Sequence, residues 1–156
     1  MKDVIYKFLP EVLVLAETKI DSSFTTQQFL MSDFYYEPTR IDLSKNSGGM
    51  LEYIKKGVIR TRLEKFELKT FESIASEITI NKQRYFVLSF YRTEREENKG
   101  KNVKRFISEL SDILTQVFQI YDNVILMGDL NIDLDDKKIK VSKRYMILWI
   151  RFHSVI

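Results

Sequence analysis

The chain has 156 residues, of which 44% are hydrophobic and 30% charged, a composition that indicates one globular domain rather than a disordered segment. It contains no cysteine and one histidine, which excludes disulfide bridges, thiolate metal sites and a multi-histidine zinc site. The formal net charge is +3, but residues 137–156 hold six basic side chains and no acidic one, so residues 1–136 carry 19 basic and 22 acidic side chains. This basic tail, residues 137–156, does not by itself establish nucleic-acid binding.

In chain order, the first apolar patterns predict strands. Val12–Ala16 is a short, wholly apolar run typical of a buried strand, and Met50–Ile54 predicts a second strand after a loop region. Ser73–Ile80 and Arg84–Tyr91 predict a hairpin, with its turn near Asn81-Lys82.

The clearest helix is predicted at residues 102–120, where Asn102 is placed to cap the start. Its apolar side chains recur at three- and four-residue spacing and form one stripe that we expect to face the core: Val103, Phe106, Ile107, Leu110, Ile113, Leu114, Val117 and Phe118. A last apolar run at Val124–Met127 predicts another buried strand. The succession of strand, helix and strand predicts a crossover unit and therefore an α/β fold.

Polar side chains follow the first and last of these strands. Glu17 ends the first strand, and Gly128, predicted to permit a tight turn, is followed by Asp129 and Asn131. The carboxyl ends of strands are where ligands bind in open α/β sheets, so these side chains would share one edge if the two strands run in parallel. Carboxylate and amide oxygens at that edge would suit Mg²⁺.

Three ordered blocks, Pro10–Lys19, Ser47–Met50 and Gly128–Asp133, resemble the endonuclease/exonuclease/phosphatase superfamily. The likeness is greatest to the endonuclease domains of non-LTR (LINE-like) retrotransposons, and it covers residues 9 to 136. It implies a four-layer α/β sandwich, with two packed mixed sheets flanked by helices. It also implies hydrolysis of phosphodiester bonds in DNA, dependent on Mg²⁺ with Mn²⁺ as an alternative ion, and no small-molecule cofactor.

The resemblance also implies a role for individual residues. Glu17 falls on the metal-binding glutamate, and Asp129 on the aspartate that orients or deprotonates the attacking water. Asn131 falls on the asparagine that holds the scissile phosphate. Tyr91, at the end of the aromatic strand, matches a tyrosine that contacts the phosphate, and Arg92 is a further candidate phosphate contact.

The family has additional blocks before the metal-binding glutamate and after the Gly-Asp-x-Asn block, so we expect a partial domain with reduced activity. Three alternatives stay open: an inactive remnant, a nucleic-acid-binding module that uses the basic tail, and another phosphoesterase of the same superfamily.

An EF-hand loop starting at Asp129 is excluded, because Leu134 and Lys140 replace its glycine and final glutamate. His153 receives no role. No apolar run reaches the ~20 residues of a membrane span, so we expect no membrane association.

Overall fold

The computed structural model describes residues 7–31, 33–44, 46–92, 101–129 and 146–151. Its elements, in chain order, are strands β1 (Val12–Ala16), β2 (Thr39–Ile41), β3 (Met50–Ile54), β4 (Ile59–Arg62), β5 (Glu72–Ile80) and β6 (Gln83–Tyr91), helix α1 (Lys101–Val117), and strands β7 (Asn123–Asp129) and β8 (Met146–Arg151). Short 3₁₀ turns lie at Thr26–Phe29 and Glu64–Phe66.

Two sheets pack face to face, and α1 covers the outer face of the larger one. The smaller sheet has the antiparallel order β1-β3-β2, and the larger has the order β4-β5-β6-β7-β8. In the larger sheet β6 and β7 are parallel and the other pairs are antiparallel. The predicted α/β fold, an incomplete sandwich of two packed sheets with a flanking helix, is confirmed.

The predicted hairpin is formed by β5 and β6 around the two-residue loop Asn81-Lys82. Both loop residues have positive φ angles, 51° and 65°, which is the conformation of a type I′ turn. This turn matches the natural twist of the two strands and fixes the register from Ile80 opposite Gln83 to Glu72 opposite Tyr91.

Helix α1 packs on the larger sheet through the aromatic and aliphatic cluster around Phe106, Ile113 and Val117. Ile107 is 59% exposed and Phe118 37% exposed, so the prediction that both face the core is wrong. The sheet covers only part of the helix circumference, and Ile107 lies about 100° around the axis from Phe106. Asn102 lies inside the helix, so it is not the cap, and the side chain of Val103 is outside the described part of the chain.

The interior between the two sheets has a polar layer between two apolar clusters. Glu52 of β3 is fully buried, and its carboxylate accepts hydrogen bonds from Arg60 at 2.8 Å and from the Ser76 hydroxyl at 3.0 Å. Arg60 also donates to Ser76 at 3.0 Å. This network therefore joins β3 of the smaller sheet to β4 and β5 of the larger one.

Strand β8 pairs antiparallel with β7 and extends the larger sheet. It lies inside the segment 137–156 that the sequence separates as a basic tail, and the boundary at residue 136 stays a prediction about family likeness. Among the described residues, no helix is both long and apolar enough to cross a bilayer.

We expect Lys82→Gly to stabilise the fold by about 0.5–1 kcal/mol, because glycine adopts the positive φ of this turn position without the steric cost that a side chain carries. Urea unfolding followed by circular dichroism would measure the change. Lys82→Ala is the control, because it removes the same side chain but keeps Cβ. An equal gain in both variants would contradict the turn argument.

The Glu52 network predicts a pH-dependent stability. Burial raises the pKa of the Glu52 carboxyl above its usual 4.5, against the opposing effects of Arg60 and Ser76. The folded state therefore holds a proton that the unfolded state releases, and this contribution to stability is lost as pH rises from about 4.5 through the raised pKa. Relative to Glu52→Gln, the parent should lose unfolding free energy across that range.

Glu77→Gln is the control for the Glu52 measurement. Hydrogen bonds from Tyr121 and Arg84 lower the pKa of Glu77, so its contribution is lost as pH falls rather than as it rises. Parallel stability curves for the parent and Glu52→Gln would show that Glu52 does not titrate differently in the folded state.

Candidate active site

Three strands from the two sheets end at the same rim of the sandwich. The start of β1, at Val12, packs with Val87 and Ile125 in one cluster, and the end of β1, at Ala16, packs with Tyr91 in another. Strand β1 therefore runs alongside β6 and β7 although it belongs to the other sheet. The sequence predicts that Glu17 and Asp129 lie at one edge of the fold if their strands are parallel. Their strands run side by side, but they belong to two sheets that pack against each other rather than to one sheet.

Glu72, Tyr91 and Asp129 form a row across this rim. Glu72 is the antiparallel partner of Tyr91, and Tyr91 is the parallel partner of Asp129. Alternation along the strands places all three on the face toward the smaller sheet, the face that carries Ile74 and Met127. Neighbouring strands are ~4.8 Å apart, so the row spans about 10 Å between its outer backbone positions.

The middle and the end of this row differ in exposure. Tyr91 is 4% exposed and packs in one cluster with Met50 and Ile74. Asp129 is half-buried at the last position of β7, and its backbone carbonyl accepts a hydrogen bond from the Arg92 N–H at 2.9 Å. The row thus places a buried tyrosine beside a half-buried aspartate.

Arg92 lies on the opposite side of the sheet from Tyr91. Its side chain is buried, with the guanidinium 5.8 Å from the centre of the Phe71 ring. Phe71 in turn packs on Phe106 of the helix. This placement favours a packing role, and the phosphate contact assigned to Arg92 stays a prediction.

Glu17 follows β1 directly and has a side chain that is 56% exposed, 3.6 Å from the Lys19 ammonium group. Glu17 and Lys19 both have φ of 55°, a left-handed conformation that is uncommon for residues other than glycine. Such conformations cluster where the surrounding structure imposes them for a purpose. The left-handed backbone on both sides of Thr18 therefore indicates that surrounding contacts impose the conformation of the segment after β1.

A glycine pair connects the segment after Glu17 to the row. Gly49, at φ of 90°, accepts a hydrogen bond from the Thr18 N–H at 3.2 Å, and Gly48 accepts one from the Lys19 N–H at 2.8 Å. The Gly49 N–H donates to the Glu72 carboxylate at 2.7 Å. A Cβ on Gly49 would clash with the Thr18 hydroxyl oxygen, so the close approach requires glycine.

Glycine is required at position 128 for a different reason from the predicted one. It lies inside β7 rather than in a tight turn, and a Cβ there would clash with the backbone carbonyl and ring of Phe90 on the parallel neighbour. The glycine is therefore needed for the close approach of β6 and β7, which places Asp129 beside Tyr91.

Glu72 was not identified from the sequence, because no motif marks it. The signal that could have found it is the hairpin itself, since counting outward from the Asn81-Lys82 turn pairs Tyr91 with Glu72. Asn131 lies outside the described residues, as does His153, so their roles stay predictions.

The rim offers carboxylate oxygens, the ligand type that Mg²⁺ prefers. Magnesium is often bound by one or two carboxylates and keeps several waters, and the exposed carboxylate of Glu17 has this character. Across the described ranges, no three carboxylate or imidazole side chains come together into a preformed cage.

Three solved structures share this architecture. A truncated TDP2 from Caenorhabditis elegans superposes with a TM-score of 0.59 and 14% identity, over 84% of this chain and 53% of that chain. The 3′ phosphatase NExo from Neisseria, bound to a product DNA hairpin, gives a TM-score of 0.57 and 18% identity, over 86% and 52%. The human Nocturnin catalytic domain gives 0.52 and 17%, over 85% and 55%.

These similarities show that the chain shares the fold of these solved structures. The chain spans about half the length of each of these solved structures. No protein-family profile and no curated protein sequence matches it.

The close approach at Gly128 predicts that Gly128→Ala lowers the unfolding free energy by about 1–3 kcal/mol, because the added methyl group has no space beside Phe90. Urea unfolding would measure the loss. Thr61→Ala, on an exposed position of the edge strand β4, is the control and should change stability by about 0.5 kcal/mol or less. Equal midpoints for Gly128→Ala and the parent would show that β6 and β7 have room for a side chain.

Proposed function

We propose that this chain carries the metal-dependent active site of a phosphodiesterase that hydrolyses DNA. The observation that supports the proposal most directly is the row of Glu72, Tyr91 and Asp129 on the same rim as Glu17. This rim lies at the carboxyl ends of β1, β6 and β7, which is where α/β proteins generally place their chemistry.

DNA is the proposed substrate. The NExo structure holds a product DNA hairpin, and a TDP2 structure from Danio rerio holds a single-stranded DNA product. The three sequence blocks add a finer proposal, that the activity is nicking by an endonuclease of the non-LTR retrotransposon type.

We assign the steps of the reaction to three residues, of which Asp129 and Tyr91 are described in the structure and Asn131 is not. In hydrolysis, the water oxygen bonds to phosphorus, the bond from phosphorus to the leaving oxygen breaks, and a proton reaches that oxygen. Asp129 orients the water and accepts its proton, the role that the sequence resemblance implies for it. Tyr91, which packs with Met50 and Ile74 and pairs with Asp129 in the sheet, contacts the phosphate. Asn131 binds another phosphate oxygen.

Glu17 is the residue that would hold Mg²⁺. When bound, the ion would neutralise charge on the phosphoryl oxygens. Lys19 lies within ion-pair distance of the same carboxylate, so it would compete with the ion for Glu17.

A second candidate is a DNA-binding module without cleavage. The observation that favours it is the charge of the basic tail, since residues 137–156 hold six basic side chains and no acidic one. In that case the basic tail would carry the affinity, and binding would weaken steeply with salt.

The test is nicking of supercoiled plasmid by purified protein in Mg²⁺, with and without a chelator. Asp129→Ala should reduce nicking by about 10²–10⁴-fold, the usual contribution of a general base. Glu17→Ala should raise the Mg²⁺ concentration needed for half-maximal nicking. Chelation should abolish nicking by the parent.

Asp122→Ala is the matched control, because Asp122 is an exposed aspartate just before the opposite end of β7. It should nick as the parent does. Equal nicking by all variants would indicate a contaminating nuclease. A folded parent that binds DNA in low salt without nicking it would replace the proposal with the binding module.

A further inference from the structure

Glu72 stands where the two sheets meet at the candidate site. It is the first residue of β5 and the antiparallel partner of Tyr91, so its backbone belongs to the larger sheet. Its carboxylate reaches the smaller sheet, where one oxygen accepts the Gly49 N–H at 2.7 Å. A hydrogen bond to an ionised carboxylate is roughly twice as strong as one between neutral groups.

The glycine pair, Gly48 and Gly49, links the Glu72 carboxylate to the segment that follows Glu17. The Gly49 carbonyl accepts the Thr18 N–H at 3.2 Å, and the Gly48 carbonyl accepts the Lys19 N–H at 2.8 Å. A continuous chain of hydrogen bonds therefore runs from the Glu72 carboxylate through the glycine pair to both residues after Glu17.

The segment after β1 needs such a restraint. Glu17 and Lys19 both hold φ of 55°, a left-handed conformation that is sterically unfavourable for any residue other than glycine. Strained residues keep their conformation only when the surrounding contacts impose it. The two N–H groups held by the glycine pair are contacts of this kind on the residues next to Glu17.

Glu72 is itself held firmly from the other side. The carboxylate of Glu109 on α1 accepts the N–H groups of Lys69 and Thr70 at 2.6 and 3.1 Å, which fixes the loop that enters β5. A Cβ on Gly48 would lie 2.5 Å from the second carboxylate oxygen of Glu72, so a side chain there would have to displace that carboxylate.

We propose that Glu72 is a positioning residue, which sets the conformation of the metal-binding Glu17 segment through its hydrogen bond to Gly49. The inference deepens the proposed function and rests on it for the role of Glu17, whereas the link from Glu72 to the Glu17 segment rests on geometry alone. Glu72 thereby couples the Glu17 side of the rim to the Tyr91 and Asp129 side.

Hydrogen exchange of the amides of Gly49, Thr18 and Lys19 tests the link without any assay of activity. Glu72→Ala removes the acceptor and should speed exchange of these amides by about tenfold or more. Glu72→Gln keeps an oxygen acceptor at the same reach and should restore exchange to within about threefold of the parent. Glu72→Asp withdraws the oxygen by one methylene and should behave as Glu72→Ala does, which keeps the test available if Glu72→Ala does not fold.

Glu77→Ala is the matched control, because Glu77 lies on the same strand and accepts hydrogen bonds from Tyr121 at 2.6 Å and Arg84 at 2.7 Å. It should leave the three amides unchanged. Unchanged exchange in Glu72→Ala or Glu72→Asp, or equal acceleration in Glu77→Ala, would overturn the proposal.

Nicking then separates this inference from the proposed function. In a parent that nicks, Glu72→Ala should raise the Mg²⁺ concentration for half-maximal nicking by about tenfold, and Glu72→Gln should return it toward the parent value. An unchanged requirement for Mg²⁺ would overturn the role toward Glu17. Absence of nicking by the folded parent would refute the proposed function, while the exchange measurements would still decide whether Glu72 positions the segment.

Discussion

The parallel pairing of β6 with β7 is the contact on which the candidate site depends. It sets Tyr91 beside Asp129, and it is possible at this closeness only because Gly128 presents no side chain to Phe90. The β5–β6 hairpin then adds Glu72 to the same line through the fixed register of its two-residue turn. One parallel and one antiparallel pairing thus align three functional groups that are separated by up to 57 positions in the chain.

Much of this arrangement follows from the sequence, because the hairpin and crossover carry clear periodicities. The strand before Glu17 and the strand before Asp129 are apolar throughout, which marks them as buried. Strand β4 escaped prediction because it is an edge strand whose alternating residues face solvent, so it has no apolar run. The function of Gly128 could not be predicted either, since close approach of two backbones depends on a partner that is distant in sequence.

The buried Glu52 network fixes the position of the two packed sheets relative to each other. Apolar side chains pack in clusters on both sides of the network. Arg60 and Ser76, in contrast, both donate hydrogen bonds to the single Glu52 carboxylate, which requires one relative position of the strands. One Glu52 oxygen and the Ser89 hydroxyl are buried without a hydrogen-bond partner among the described residues, which lowers stability. Because breaking a buried ion pair is strongly destabilising, a displaced register is disfavoured even though the network itself adds little net stability.

The backbone of the rim is therefore strained in the segment after β1, whereas Tyr91 is held by packing. This difference is consistent with the roles proposed for the two sides of the rim. Tyr91 sits in a packed cluster with Ile74, so its position needs no further restraint. Glu17 lies on an exposed segment with left-handed backbone at residues 17 and 19, where packing alone cannot fix the carboxylate. Hydrogen bonds are directional and packing is not, so an exposed carboxylate that is proposed to bind a metal is best oriented by a chain of hydrogen bonds. Glu72 and the glycine pair provide that chain, and they join the two sheets at the point where the proposed chemistry requires both.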